Sequence, residues 1–108
     1  MSKDIHTEEV DQLFQAILTL RTLDECYTFF EDACTINEIL SLSQRFEVAK
    51  MLREKKTYLD ISKKTGASTA TISRVNRALI YGSDGYEMVL KRMGLEKPEE
   101  AEETGGEH

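Results

Sequence analysis

Residue types that build metal and redox sites are scarce in this sequence. Its 108 residues include no tryptophan, one proline, two cysteines and two histidines. A zinc site needs three or four convergent ligands. Because His6 and His108 lie near the two chain ends, we expect no metal and no other cofactor. Cys26 and Cys34 share one apolar stretch and are predicted to be buried, reduced thiols.

Long apolar runs and catalytic motifs are also missing. No run approaches the length that a bilayer requires, and the first residues lack the basic and apolar regions of a secretion signal. We therefore expect a cytoplasmic protein without membrane association. No Ser/His/Asp arrangement, glycine-rich phosphate loop or paired-carboxylate motif occurs, which argues against an enzyme. The length suits one domain with a small core, and a small core favours oligomerisation.

Charge is divided unevenly along the chain, although its net value is only −6. Residues 1–41 hold two bases and nine acids, net −7, whereas residues 42–93 hold eleven bases and five acids, net +6. Residues 94–108 hold one lysine and six glutamates, net −5. A locally basic region is compatible with nucleic-acid binding even in an acidic protein, and equally with an ordinary solvated helix face.

Helix signals recur along the chain and predict an all-α fold of six or seven helices. Thr7, Thr57 and Ser68 each stand where an N-cap is needed, and Thr35 and Glu38 have the spacing of a capping box. Residues 1–93 are expected to form one domain, followed by a disordered acidic tail over 94–108. The predicted helices cover residues 8–21, 23–34, 36–41, 43–55, 58–65, 69–81 and 86–93.

The segment from residue 57 to residue 81 has the features of a helix-turn-helix. Gly66 accepts the left-handed backbone of a sharp turn, and Ser68 caps the helix that follows. Ile61 precedes the turn and Ile72 and Val75 follow it, at spacings that let them form a small core between the two helices. The segment therefore predicts a DNA-binding helix pair, with a plain helical hairpin as the alternative.

Short polar and cationic side chains remain for the outer side of the second helix. Such a helix fits the major groove, where hydroxyl groups approach base edges and the helix N-terminus attracts phosphate. Lysines flanking the first helix would contact the DNA backbone and set affinity and salt sensitivity. The predicted DNA-binding residues are Ser68, Thr69, Ala70, Thr71, Ser73, Arg74, Arg77, Lys55, Lys56, Lys63 and Lys64.

The stretch GASTATISRVNRAL, preceded by LSLSQRFEVAKML, resembles the Trp repressor family, and within it the Trp-repressor-like YerC/YecD group. The resemblance spans about residues 7–93 and implies an all-helical homodimer whose N-terminal helices interlock. A symmetric dimer implies a palindromic operator with half-sites about one helical turn apart. Dimerisation would also bury the wide apolar face that the first helix presents with Val10, Leu13, Phe14, Ile17, Leu18 and Leu20.

The corepressor pocket that this resemblance implies is altered. In the tryptophan-responsive repressor, an arginine on the recognition helix and another on the preceding long helix help to form this pocket. Arg74 matches the first, and Arg45 matches the second if one residue is deleted between Arg53 and Thr57. Val75 replaces a glycine and adds bulk where an indole would need space, and Ala78 replaces a serine. These four residues form a candidate effector pocket. We therefore expect DNA binding without tryptophan, or with another, unidentified small-molecule effector.

Two further alternatives stay open from the sequence. Helix-turn-helix units also dock onto proteins, so the pair could be a protein-interaction module whose binding depends little on salt. The acidic tail could compete with DNA for the basic residues, or it could serve only as a solubilising extension.

Overall fold

The computed structural model describes residues 4–95, which contain six α-helices and no strand. These residues fall into two units, one up to Ile39 and the other from Leu40 onward. The prediction of an all-α fold is confirmed, and none of the described helices is long and apolar enough to cross a membrane. The tail beyond Leu95 lies outside the described residues. The helices are α1 (Glu8–Ile17), α2 (Leu23–Ala33), α3 (Ile36–Arg53), α4 (Tyr58–Thr65), α5 (Thr69–Tyr81) and α6 (Gly85–Arg92).

Helix α3 corrects one prediction. The sequence predicted separate helices over 36–41 and 43–55, whereas α3 runs unbroken from Ile36 to Arg53. No glycine or proline stands between the two, and an interior serine such as Ser43 costs only about 0.5 kcal/mol relative to alanine. The helix begins at the predicted capping box. The N–H of Glu38 donates to Thr35 Oγ1 at 3.1 Å, and the N–H of Thr35 donates to Glu38 Oε1 at 2.9 Å.

The N-terminal unit consists of amphipathic helices without a core. Neither α1 nor α2 contains a buried residue. Helix α1 ends four residues before its predicted boundary because the chain turns at Leu18 and Thr19. Cys26 and Cys34 are free thiols, as predicted, but they are half-buried rather than buried. The exposed large apolar side chains of this unit are Ile5, Leu13, Phe14, Leu18, Leu23, Tyr27 and Ile36.

The C-terminal unit is built around one cluster of buried side chains. The cluster draws on α3, α4, α5 and the turn between α4 and α5, so it fixes the helix-turn-helix against α3. It includes Ile61, Ile72 and Val75, which confirms the core predicted between the two helices. The members of this core cluster are Val48, Ala49, Met51, Ile61, Ala67, Ile72 and Val75, each at most 7% exposed.

Arg53 joins the end of α3 to α6. Its guanidinium donates from Nε and Nη2 to the two carboxylate oxygens of Glu87 at 2.9 and 3.2 Å, and from Nη1 to the carbonyl oxygen of Leu95 at 2.8 Å. The side chain is buried, so these charge-assisted bonds replace the water that it loses on folding. Gly94, assigned to the tail from the sequence, instead closes α6 with a left-handed φ of 85°.

Candidate nucleic-acid interface

Helices α4 and α5 form the predicted helix-turn-helix, and short-range hydrogen bonds set its ends. The N–H of Asp60 donates to Thr57 Oγ1 at 3.1 Å, which starts α4. Gly66 ends this helix with a left-handed φ of 76°. The N–H of Thr71 then donates to Ser68 Oγ at 3.1 Å, which starts α5. These local signals, all present in the sequence, fix both ends of α4 and the start of α5.

Helix α5 has one buried side and one exposed side. Ile72 and Val75 are 0% and 2% exposed in the core cluster. Thr71 is half-buried, and its hydroxyl oxygen accepts a hydrogen bond from the hydroxyl of Ser68 at 3.2 Å, so this hydroxyl group is engaged within the helix cap. Five of its exposed residues belong to the predicted DNA-binding set, and we call these five the reading face: Thr69, Ala70, Ser73, Arg74 and Arg77.

The N-terminus of α5 differs electrostatically from those of the other described helices. Each of the other five has at least one acidic residue in its first turn, whereas α5 has none. The partial positive charge of its first N–H groups is therefore not offset by a neighbouring carboxylate on the same turn. The preceding helix carries Lys63 and Lys64 in its last turn, and they add positive charge just before the turn that leads to α5.

The predicted phosphate-binding cations are all exposed. Lys64 Nζ lies 3.9 Å from Glu47 Oε2, a loose pair in which the carboxylate also contacts Lys50 Nζ at 3.2 Å. Among residues 4–95, no carboxylate lies within ion-pair distance of Lys56, Lys63, Arg74 and Arg77. We call the full set the basic surface: Lys55, Lys56, Lys63, Lys64, Arg74 and Arg77.

Lys55 and Lys56 are held in place by the end of α3. Lys55 has a left-handed φ of 67°, and its N–H donates to the carbonyl of Leu52 at 3.0 Å. The N–H of Lys56 donates to the carbonyl of Met51 at 3.1 Å. This pair of bonds is the Schellman arrangement, which satisfies the last carbonyls of a helix. Both lysines therefore leave α3 at a defined point, directly before the cap of α4.

The four residues of the predicted effector pocket have different environments. Val75 is buried in the core cluster, Arg45 is half-buried on α3, and Arg74 and Ala78 are exposed on α5. None of the four lines the open cleft between α3 and the end of α4. The effector pocket stays a prediction. The cleft is lined by Leu40, Ser43, Gln44, Glu47, Lys64 and Thr65.

Sequence reasoning missed the part that Gln44 plays beside the turn. Its Nε2 donates to the carbonyl oxygen of Thr65 at 3.1 Å, which joins α3 to the last turn of α4. Thr65 in turn supplies a hydroxyl oxygen that accepts the N–H of Ala67 at 3.1 Å. No sequence pattern marks the contact, because the two residues are 21 positions apart. Gln44 thus helps to hold the turn that orients α5.

Comparison with known proteins agrees with this arrangement of helices. The sequence model of a family described as Trp repressor protein matches residues 8–94. The chain belongs to the Trp repressor family. This Trp repressor family member is 65% identical over 86 residues to the protein YerC of Bacillus subtilis (strain 168), a match that covers 80% of this chain and 83% of YerC. The resemblance inferred from the sequence is therefore confirmed.

Solved structures of the Trp repressor type have the same fold. A TrpR-like protein from Eubacterium eligens ATCC 27750 is 73% identical, with a TM-score of 0.83, over 85% of this chain and 95% of that chain. A second solved structure, from Staphylococcus aureus, is 55% identical, with a TM-score of 0.83, over 86% of this chain and 93% of that chain. The Trp repressor fold of this chain therefore rests on both sequence and structure.

Proposed function

We propose that this protein is a transcription regulator that binds double-stranded DNA as a homodimer, with α5 in the major groove of a palindromic operator. The observation that carries the proposal is the division of α5 into two sides. Ile72 and Val75 anchor the helix in the core cluster, and the reading face is left exposed. Small side chains at its N-terminal end suit close approach to base edges, and the arginines one and two turns later suit phosphate.

The electrostatics of the C-terminal unit support the same role. The N-terminus of α5, whose first turn has no acidic residue, attracts a phosphate group. The cations of the basic surface lie on α4, on α5 and in the segment between α3 and α4. In this proposal, the DNA-binding domain extends two residues past the predicted boundary at 93, because Gly94 and Leu95 are bonded into the fold, and residues 96–108 form a separate tail. The protein acts in the cytoplasm as a repressor-like regulator and not as an enzyme.

A second copy of the chain is proposed to cover the N-terminal unit. Helices of 10 and 11 residues are marginal in water unless an apolar face is buried. In the single chain, however, Leu18 is 82% exposed and Leu23 is 73% exposed. Interlocking with the same helices of a partner, as the resemblance implies, would remove these side chains from water. The dimer would then present two reading faces, which match the two half-sites of a palindrome.

Analytical ultracentrifugation of the full chain tests the dimer. We expect one species at low micromolar concentration with about twice the chain mass of 12.3 kDa. Leu18→Asp, which places a charge on the exposed apolar face of the N-terminal unit, should shift the mass toward that of one chain. Glu9→Asp is the matched control, because it changes a helix residue without adding charge. A single-chain mass for the unaltered protein at these concentrations would contradict the dimer.

The salt dependence of DNA binding tests the proposed function. Duplexes selected from a random library should contain a palindrome with half-sites about 10 base pairs apart. Affinity for the selected duplex should fall at least about 100-fold between 50 and 200 mM KCl, because even four phosphate contacts release enough counterions for that loss. Failure to select any duplex, or an affinity that barely changes with salt, would instead favour a protein-interaction module.

Tryptophan is not expected to change this affinity. Val75 is buried in the core cluster, and its branched side chain occupies space that the family glycine would leave open. The same titration with tryptophan added checks this part of the proposal. A tighter complex in its presence would show that the protein is tryptophan-responsive after all.

A further inference from the structure

The C-terminal segment leaves the fold from a residue that is held on both sides. The N–H of Leu95 donates to the carbonyl of Leu90, a fully buried residue of α6, at 2.9 Å. The carbonyl of Leu95 accepts from Arg53 Nη1 at 2.8 Å. Arg53 is itself buried and bound through two nitrogens to Glu87. The tail therefore starts from a fixed point at the end of α3.

This starting point is joined through Arg53 to the end of α3, which the first cations of the basic surface follow in sequence. Lys55 follows Arg53 by two residues and Lys56 by three, so their Cα atoms lie within roughly 11 Å of that of Arg53. The Schellman bonds at the end of α3 hold both lysines there. A chain that continues from Leu95 therefore starts from a residue bonded to the same end of α3 that Lys55 and Lys56 follow in sequence.

The charge and the length of the tail both favour a contact with the basic surface of the same chain. Residues 96–108 hold six glutamates and one lysine, net −5, against the six cations of the basic surface. Thirteen residues can span up to about 45 Å, whereas a compact unit of this size is roughly 25 Å across. The tail can therefore reach every cation of the surface, including Arg74 and Arg77 on α5.

We propose that the acidic tail, residues 96–108, docks on the basic surface of its own chain and shields it from DNA. The proposal rests on the DNA-binding function proposed above. A tethered polyanion is present at an effective concentration of order millimolar, so even weak binding competes with phosphate groups. This competition lowers the affinity of every duplex that needs the basic surface. An operator that also makes base contacts keeps enough affinity to displace the tail, whereas a weak, nonspecific duplex does not.

The test neutralises the tail without shortening the chain. The full-length variant carries Gln at the six tail glutamates, and its matched control carries Asp at the same positions and keeps the charge. Binding to a fluorescein-labelled 24-base-pair duplex of random sequence is measured by anisotropy in 50 and 300 mM KCl. The altered residues are Glu96, Glu99, Glu100, Glu102, Glu103 and Glu107.

We expect the Gln variant to bind this duplex roughly five- to tenfold more tightly than the unaltered protein in 50 mM KCl, with little difference in 300 mM KCl. The Asp variant should behave as the unaltered protein does. Amide resonances of α4 and α5, including those of Lys63, Lys64 and Arg74, should shift between the unaltered protein and the Gln variant. They should not shift in the Asp variant.

The DNA affinities and the amide shifts together either support docking of the tail on the basic surface or overturn it. Tighter DNA binding without shifts on α4 and α5 would reveal a general charge effect that needs no contact, and it would overturn docking. Equal DNA affinities of the unaltered and Gln proteins, with the unaltered protein binding, would also overturn it. If neither protein binds DNA but the shifts occur on the basic surface, the docking holds and the proposed function fails.

Discussion

Replacing Ala70 by aspartate is expected to weaken binding to the selected operator at least about 100-fold, which corresponds to roughly 2.7 kcal/mol. Ala70 is exposed on the reading face, in the first turn of α5. In the proposed complex a carboxylate at this position would meet phosphate groups and acceptor atoms of base edges, and like charges placed together cost several kcal/mol. Fluorescence anisotropy with the selected duplex measures the loss.

This substitution separates a loss of binding from a loss of folding. An acidic residue in the first turn complements the helix dipole and stabilises a helix by about 0.3–1 kcal/mol. Because the first turn of α5 holds no acid, Ala70→Asp should leave the melting temperature unchanged or slightly raised. A folded variant that no longer binds the duplex would therefore place the defect at the interface.

Ser83→Asp serves as the matched control for Ala70→Asp. Ser83 is exposed beyond the C-terminal end of α5, and Tyr81, the last residue of that helix, lies roughly 16 Å from Ala70 by helical rise. The control adds the same charge to the same unit, and we expect it to weaken binding less than about threefold. If Ala70→Asp binds as tightly as Ser83→Asp, α5 does not face the DNA.

Replacing Ile72 by alanine is expected to lower the free energy of unfolding by about 3 kcal/mol. Ile72 is 0% exposed in the core cluster, where it packs with residues of α3 and α4. The substitution removes buried apolar atoms and leaves a cavity between the helices of the helix-turn-helix. For a domain of this size, the melting temperature should fall by roughly 15 °C. Thermal unfolding followed by circular dichroism at fixed protein concentration measures the change.

The same helix offers a matched control for this cavity. Ile80 is 60% exposed on α5, so Ile80→Ala removes the same atoms from a largely solvated position. We expect a destabilisation of about 0.5 kcal/mol or less. Equal losses in the two variants would show that Ile72 is not anchored in a core of the kind described.

Features that depend on neighbours within a few residues could be predicted from the sequence. The caps at Thr57 and Ser68, the capping box of Thr35 with Glu38 and the left-handed turn at Gly66 all join residues at most four positions apart. Their chemistry is therefore written into short stretches of sequence. The same reasoning misplaced a helix start at Ser43, because a serine that can cap a helix is also tolerated inside one.

The exposure of the candidate site followed from periodicity alone. Once Ile61, Ile72 and Val75 were assigned to the core between the helices, helical geometry placed Thr69, Ala70 and Ser73 on the other side of α5. The structure has that division. Thr71 is the exception, since it is half-buried and bound to Ser68. Periodicity fixes the direction of a side chain on its helix, but not which hydroxyl group a cap will engage.

The sequence by itself determined the helical class, the helix-turn-helix, its inner apolar core and the opposite charges of the basic region and the tail. Only the tertiary structure decided that Gln44 bonds to Thr65, that Arg53 bonds to Glu87 and Leu95, and hence where the tail begins. These contacts join residues 21 to 42 positions apart. No local pattern encodes such a pair, because its geometry exists only after the core has brought α3, α4 and α6 together.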